Sequence, residues 1–305
     1  MPKVVFIYGH KGAIAGNIVL DLEGTLRFSI ITPSFLGRRW LPLCIASVAD
    51  QQGVEMEHIV QDSCSGDGTE ELLRNYSSVK AYIEKDEGMY DAVNRGFGRA
   101  TGEILAYLNC DEQYLPGALK AVHECFAENP VIDAVLSDTV VTDAGGNYIS
   151  HRYSLVPRKH QLWVRFPVLT CSLFIRKAVV RDFGIRFDTR WRALGDFFWV
   201  QQMVERGLRF AVLPRFTSVF TETGENLCLN PTALRERQTK WEMAPRAIKL
   251  MKYPFIMLYR LRLAVRGSLF QRPFQYSIYT LSNPTERVQR DALKPTSFWK
   301  GRSRR

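Results

Sequence analysis

ILAYLNCDEQYLPGAL (Ile104–Leu119) carries an apolar run straight into a pair of acids. Five mostly apolar residues, Ile104 to Leu108, read as a short buried strand. Asn109, Cys110, Asp111 and Glu112 follow, and Pro116 marks the start of the next helix. The same grammar extends upstream from Arg27. RFSIIT, EHIVQD and VKAYIEK read as strands, and WLPLCIASVADQQ, GTEELLRNY and MYDAVNRGFGRA as the helices between them. Downstream, PGALKAVHECFAEN is a helix and VIDAVLSD a further strand. Strand–helix alternation with short connections predicts an α/β fold. Its right-handed crossovers give a mostly parallel sheet with helices on both faces.

In such sheets the ligand crevice lies outside the carboxyl ends of the strands. The residues emerging there are Thr32-Pro33-Ser34, Asp62-Ser63, Glu84 to Asp86, and Asn109 to Glu112. Polar residues after strands also serve as turn formers and helix caps, and Asp67 suits a cap for the helix that follows it.

The 305 residues, 46% hydrophobic, suffice for one large core with an appendage. The six cysteines lie far apart, which suits reduced thiols better than a disulfide framework or a zinc site. The first residues lack the apolar run of a signal peptide, and no run of about 18 uncharged apolar residues predicts a membrane span. Charge is unevenly placed. From residue 245 to 305 there are 14 Lys and Arg against 2 acids, a net of +12, leaving −2 for residues 1–244.

The ordered segments resemble family-two glycosyltransferases, inverting nucleotide-sugar enzymes with a GT-A fold. The resemblance rests on FSIITPSF, on IVQDSCSGDGTEELL, and most specifically on EKDEGMYDAVNRGFGRATGEILAYLNCDE, spanning about Phe28 to Asn226. It implies a nucleotide-diphosphate sugar as donor. Thr32, Pro33, Ser34, Asp62, Asp86 and Asp111 would then bind the nucleotide, with Asp62 accepting from the base. Tyr90, Asp91 and Asn94 would face the donor sugar. The diphosphate repels bare carboxylates unless a divalent cation sits between them, so Asp111 and Glu112 are expected to hold Mg²⁺ or Mn²⁺. The family's usual second acid is Asp, and Glu112 is one methylene longer. Many members also carry an Arg before the matching Asn; here Val93 stands there, leaving Arg95 or Arg99 as candidate pyrophosphate contacts. Inversion needs a base on the acceptor side. The resemblance assigns that role to Asp196, at the head of the helical run FFWVQQMVERG, with Asp188 as the fallback. FTETGEN (Phe220–Asn226) resembles the loop that closes over the donor, hinged at Thr223 and Gly224. His151 and His160 lie in a basic loop, at most as acceptor contacts.

These expectations divide the chain into an N-terminal extension (1–26), a GT-A domain (27–226) and a basic, amphipathic helical C-terminal region (227–305). That region interleaves Arg and Lys with apolar residues, which suits a helix lying in lipid headgroups, with Phe255, Ile256 and Leu258 inserted. The partners expected are a sugar nucleotide, a glycan or lipid-linked acceptor and a membrane surface, with no nucleic acid. The place expected is the cytoplasmic face of the membrane. RQTKW (Arg237–Trp241) is an incomplete version of the Gln-x-x-Arg-Trp signature of polymer-extruding members, so single-sugar transfer is expected. A sugar-nucleotidyltransferase lacks its Gly-rich signature after FSIITPSF. A non-catalytic sugar-nucleotide binder is favoured only by Glu112.

Overall fold

The computed structural model describes residues 26–226 and 230–298. The expected N-terminal extension lies outside them except for its last residue. The strand–helix alternation appears as read: β1 (Phe28–Ser34), α1 (Leu41–Ala49), β2 (Met56–Asp62), α2 (Thr69–Leu73), β3 (Val79–Ile83), α3 (Met89–Arg99) and β4 (Ile104–Tyr107). There follow β5 (Gln113–Tyr114), α4 (Ala118–Glu128), β6 (Ala134–Asp143), β7 (Tyr148–Arg152), α5 (Lys159–Val164), β8 (Leu173–Arg176), α6 (Ala178–Arg181), α7 (Gly195–Glu205) and β9 (Phe210–Glu222).

Strand β1 is buried along its whole length, and its side chains alternate between two cores. Phe28 and Ile30 join the core under α1 and α4, with Val48, Val122 and Phe126. Ile31 joins the core under α3 and α7, with Val93, Phe97 and Trp199. Each large apolar side chain buried in this way contributes about 1.5–3 kcal/mol.

The sheet order is β3-β2-β1-β4-β8-β6-β9-β5, with β7 beside β6. Its first four strands are parallel, as are β6 and β9. The expected mostly parallel sheet is nonetheless mixed, because β8 runs antiparallel to both β4 and β6. The short helix α5 lies between β7 and β8, both of which run antiparallel to β6. Strand β8 enters from a single 3₁₀ turn, Thr170–Ser172, at the end of the sheet where β4 leaves it, and so runs back against its neighbours.

The C-terminal region corrects the helical expectation. Helices α8 (Pro231–Met243), α9 (Arg246–Leu250) and α10 (Lys252–Val265) are present, but β10 (Phe274–Thr280) and β11 (Asn283–Ala292) form an antiparallel hairpin. Alternation places Tyr276 and Ile278 on one face, against Leu115, Val140 and Val219. Gln113 and Tyr279 exchange two 2.9 Å hydrogen bonds, and Arg287 reaches Asp50 (2.8 Å) and the Tyr114 carbonyl (3.0 Å). Helix α10 is fastened through Arg262 to the Val156 carbonyl (2.7 Å) and through Arg266 to buried Asp138 (3.0 Å). The region is therefore stitched onto the body rather than appended to it. On α10, Phe255 packs on His160 (4.6 Å between ring centroids), so it does not lead the apolar face. The exposed face instead carries Tyr253, Met257, Leu261 and Val265, spaced four residues apart. Among the described residues no helix is long and apolar enough to cross a membrane.

Candidate functional site

A cleft of about 2070 Å³ opens where β1 and β4 end and α3 and α7 begin. Pro33, Ser34, Asp86, Tyr90, Asp111, Glu112 and Asp196, all expected from the sequence, line it together. Asp86 accepts the Gly88 amide (2.8 Å) and so shapes the turn into α3. Gly88 has φ +116°, a backbone conformation that selects glycine; the nearby Arg192 guanidinium is the end of a flexible side chain that can move aside.

Other expected residues are turned elsewhere. Thr32 shares the face of Phe28 and Ile30, and its buried hydroxyl bonds His58 (2.8 Å) beneath α1. Asp62 is fully buried; it accepts from the amide (2.9 Å) and hydroxyl (2.6 Å) of Ser65. It therefore builds the turn that presents Ser63 and Cys64 to the cleft, without lining it itself. Asp91 is paired with Arg95 (2.8 Å) one turn along α3. Asn94 exchanges two hydrogen bonds with the Phe187 backbone (2.8 and 3.0 Å), pins that segment and does not line the cleft. Arg95 and Arg99 both reach Glu84 (3.4 and 2.5 Å), outside the cleft lining. Asp188 is forked onto Arg190 (2.7 Å), which holds it away as an alternative base. Asp67 lies one residue before the cap position, Gly68, and is not the cap; it accepts from the amide (3.0 Å) and hydroxyl (2.6 Å) of Thr69. His151 is a buried partner of Tyr148 (2.7 Å), pushed down to about 4 by burial.

The acid pair sits on a tight turn in which Glu112 accepts the Asn109 amide (2.9 Å). The extra methylene lets its carboxylate fold back onto its own loop. Burial raises the pKa of both acids, and the Asp111 charge adds to the rise of Glu112. A bound cation relieves that condition. Among the described residues no cluster of three or more Asp, Glu, His or Cys could hold an ion unaided. A divalent ion fitting here would draw its remaining oxygens from phosphate and water. From the far end of β9, the loop Thr223–Asn226 reaches this pair, with the Asn226 amide 3.4 Å from Asp111.

Asp196 lies in the first turn of α7. The cap position is Leu194, so Asp196 is not the helix cap. One oxygen accepts the Phe197 amide (2.7 Å). Burial lifts its pKa to about 6; the Phe197 amide and Lys240 pull it down and Glu236 pushes it up. A carboxylate titrating near 6 is a better proton acceptor at neutral pH than an ordinary one. Gly195 allows this placement, since a Cβ would meet the Tyr90 ring at 2.6 Å. Tyr90 in turn stacks on Phe187 (4.9 Å).

Sequence reasoning missed Arg192, Arg237 and Lys240, which also line the cleft, and Glu236 beside them. The signal for Glu236 and Lys240 was their spacing of four on one helix, within the RQTKW neighbourhood.

Comparison with known proteins places this geometry in context. A model of glycosyl transferase family 2 matches residues 29–183. TuaG, a Bacillus subtilis glycosyltransferase assigned to teichuronic acid biosynthesis, is 32% identical over 105 residues, covering 33% of this chain and 42% of that protein. Glycosyltransferase AglE of Haloferax volcanii is 26% identical over 201 residues, 61% of this chain and 64% of that protein. The matches thus span less than two thirds of these relatives. Among solved structures, S. aureus TarS 1–349 in complex with UDP superposes with a TM-score of 0.54 at 19% identity, covering 76% of this chain and 71% of that one. A Pyrobaculum calidifontis mannosyltransferase in complex with GDP-Man and Mn²⁺ gives 0.50 at 19% identity, covering 72% and 62%. The shared fold is GT-A.

Proposed function

This chain belongs to glycosyl transferase family 2, and from that premise we propose that it moves one sugar, with inversion, from a nucleotide-diphosphate donor to a glycan or lipid-linked acceptor in cell-surface polysaccharide synthesis. The observation that carries the reading is that Asp196 lines the same cleft as the Asp111–Glu112 pair, with its pKa lifted to about 6. Pro33, Ser34, Ser63 and Asp86 form the wall along which the nucleotide lies. Asp111 and Glu112 would hold the divalent ion, Mg²⁺ or Mn²⁺, whose charge would offset that of the diphosphate. Asp196 takes the proton from the acceptor hydroxyl as that oxygen attacks the anomeric carbon. The C1–oxygen bond to the diphosphate breaks and the nucleoside diphosphate leaves. Tyr90 lines the fixed wall of the cleft beside the donor, and the loop Thr223–Asn226 closes over it.

The acceptor is met at the cytoplasmic face of a membrane, a reading supported by the C-terminal charge and by the exposed apolar face of α10. No acid interrupts residues 243–285, while Arg246, Lys249, Lys252 and Arg260 accompany that face.

The test is incubation with a panel of UDP- and GDP-sugars, with Mn²⁺ or with EDTA, and separation of the products. Metal-dependent release of UDP or GDP is expected. Release of pyrophosphate would overturn the reading in favour of nucleotidyl transfer.

A further inference from the structure

Asp196 is held in place from outside its own helix. The three amides that lead into α7, those of Arg192, Ala193 and Leu194, all donate to one carboxylate, Glu236 of α8, at 2.7, 2.9 and 2.8 Å. Helix α7 has no side-chain cap of its own at Leu194. These amides belong to the cap residue and the two residues before it, and a nearly buried acid from another helix is their common acceptor. One turn further along α8, Lys240 lies against the Phe197 ring (4.6 Å) and attracts Asp196. The α8 helix therefore touches the base region twice, once through backbone hydrogen bonds and once through charge. Both contacts lie outside the residues 29–183 that the family model matches.

We propose that Glu236 is the positioning residue of the catalytic base: it fixes the Arg192–Leu194 segment so that the Asp196 carboxylate faces the acceptor hydroxyl. The proposal rests on the reading of Asp196 as base. Glu236 touches neither donor nor acceptor; it acts through three backbone amides. One Glu236 oxygen accepts the Arg192 amide and the other accepts from Ala193 and Leu194. Glu236→Gln keeps the shape but turns an NH₂ toward at least one of those donors, leaving it unpaired. Glu236→Asp keeps the charge and shortens the reach. The groups that face Asp196 are Glu236 and Lys240 from α8, Tyr90 from α3 and Tyr107 from β4. Removing the Glu236 charge leaves Lys240 less opposed, so the acid limb of the rate profile moves to lower pH.

The experiment compares wild type, Glu236→Gln, Glu236→Asp, Asp196→Asn and the Asp196→Asn/Glu236→Gln double variant. The substrate is UDP-N-acetylglucosamine or GDP-mannose with Mn²⁺, whichever the wild type cleaves, and rates are normalised to UDP- or GDP-binding sites counted by calorimetry. Glu236→Gln is expected to lower kcat about 10- to 100-fold, leave the donor KM within about twofold, and move the acid limb downward. Glu236→Asp should recover part of the rate. In the Asp196→Asn background, Glu236→Gln should add little, because the group it positions is gone. An unchanged kcat per binding site in Glu236→Gln, with Asp196→Asn impaired, overturns the positioning role alone. An unimpaired Asp196→Asn overturns the base assignment, and the proposal with it. If Glu236→Gln does not fold, Glu236→Asp at full kcat with an unmoved pH limb is the overturning result.

Discussion

Replacing Asp196 by asparagine should make the protein slower and more stable at once. The carboxyl titrates near 6 in the fold against an ordinary 3.8. Between those values the native state binds more protons than the unfolded chain, so stability falls as pH rises through this window. At pH 7 the ionised carboxyl costs the fold about 3 kcal/mol by linkage. Asp196 faces an open cleft, and solvent screening reduces this to about 1–3 kcal/mol. The Asp196→Asn variant avoids that cost, while the new side-chain amide oxygen still accepts the Phe197 amide. Thermal unfolding at pH 7.5 should therefore rise by a few degrees, about 2–4 °C per kcal/mol for a domain approaching this size. At pH 5, where wild-type Asp196 is mostly protonated, the gain should shrink to roughly half. Turnover should drop by about 10²–10⁴, the usual contribution of a positioned base, with affinity for Mn²⁺ and for the nucleoside diphosphate, UDP or GDP, that the wild type releases unchanged. Scanning calorimetry at the two pH values, calorimetric titration with that nucleotide and its release together measure this. A variant that is less stable at pH 7.5 would refute the burial argument, and parallel loss of nucleotide affinity and rate would refute the acceptor-side assignment.

Asp111→Asn and Glu112→Gln should each weaken Mn²⁺-dependent binding of the nucleoside diphosphate that the wild type releases by about tenfold or more while leaving circular dichroism unchanged; undiminished binding would remove them from the metal site. Arg266→Met leaves Asp138 buried without its cation, so chemical denaturation should show a loss of about 3 kcal/mol or more, most of it recovered when Asp138→Asn is added. Met257→Glu with Leu261→Glu should abolish co-sedimentation with phosphatidylglycerol vesicles at both low and high salt without lowering solubility, whereas high salt alone should weaken the wild type only partly, since salt screens charge but not apolar insertion; equal pelleting of variant and wild type would reject membrane docking.

The alternation from Arg27 to Asp138 was legible because each strand and helix carries its own period. Facing was less so. Residues 28, 30 and 32 share one side of β1, so the strand period alone predicts that Thr32 points under α1 with Phe28 and Ile30. The motif match overrode that signal. Asn94 could not be read locally, since its partner Phe187 lies 93 residues away. Asp91 and Arg95 announced their pairing by their spacing of four, a surface pattern rather than a ligand pattern. In the C-terminal region, abundant arginine masked the period-two run of Phe274, Tyr276 and Ile278 that makes a hairpin. The Glu236 clamp depends on three backbone amides, which no side-chain motif encodes.

The hairpin also sets when the protein can be finished during synthesis. Gln113, the residue after the acid pair, closes on Tyr279, made 166 residues later. At about 5–20 residues per second, the ribosome needs roughly 8–33 s to cover that interval. The apolar surface at Leu115, Val140 and Val219 is complete only once Val219 is made, and from there until Tyr279 emerges it has no hairpin to cover it. A nascent chain stalled before β10 presents that patch to chaperones or to other chains, so slower translation over residues 220–292 lengthens the time for which it is uncovered.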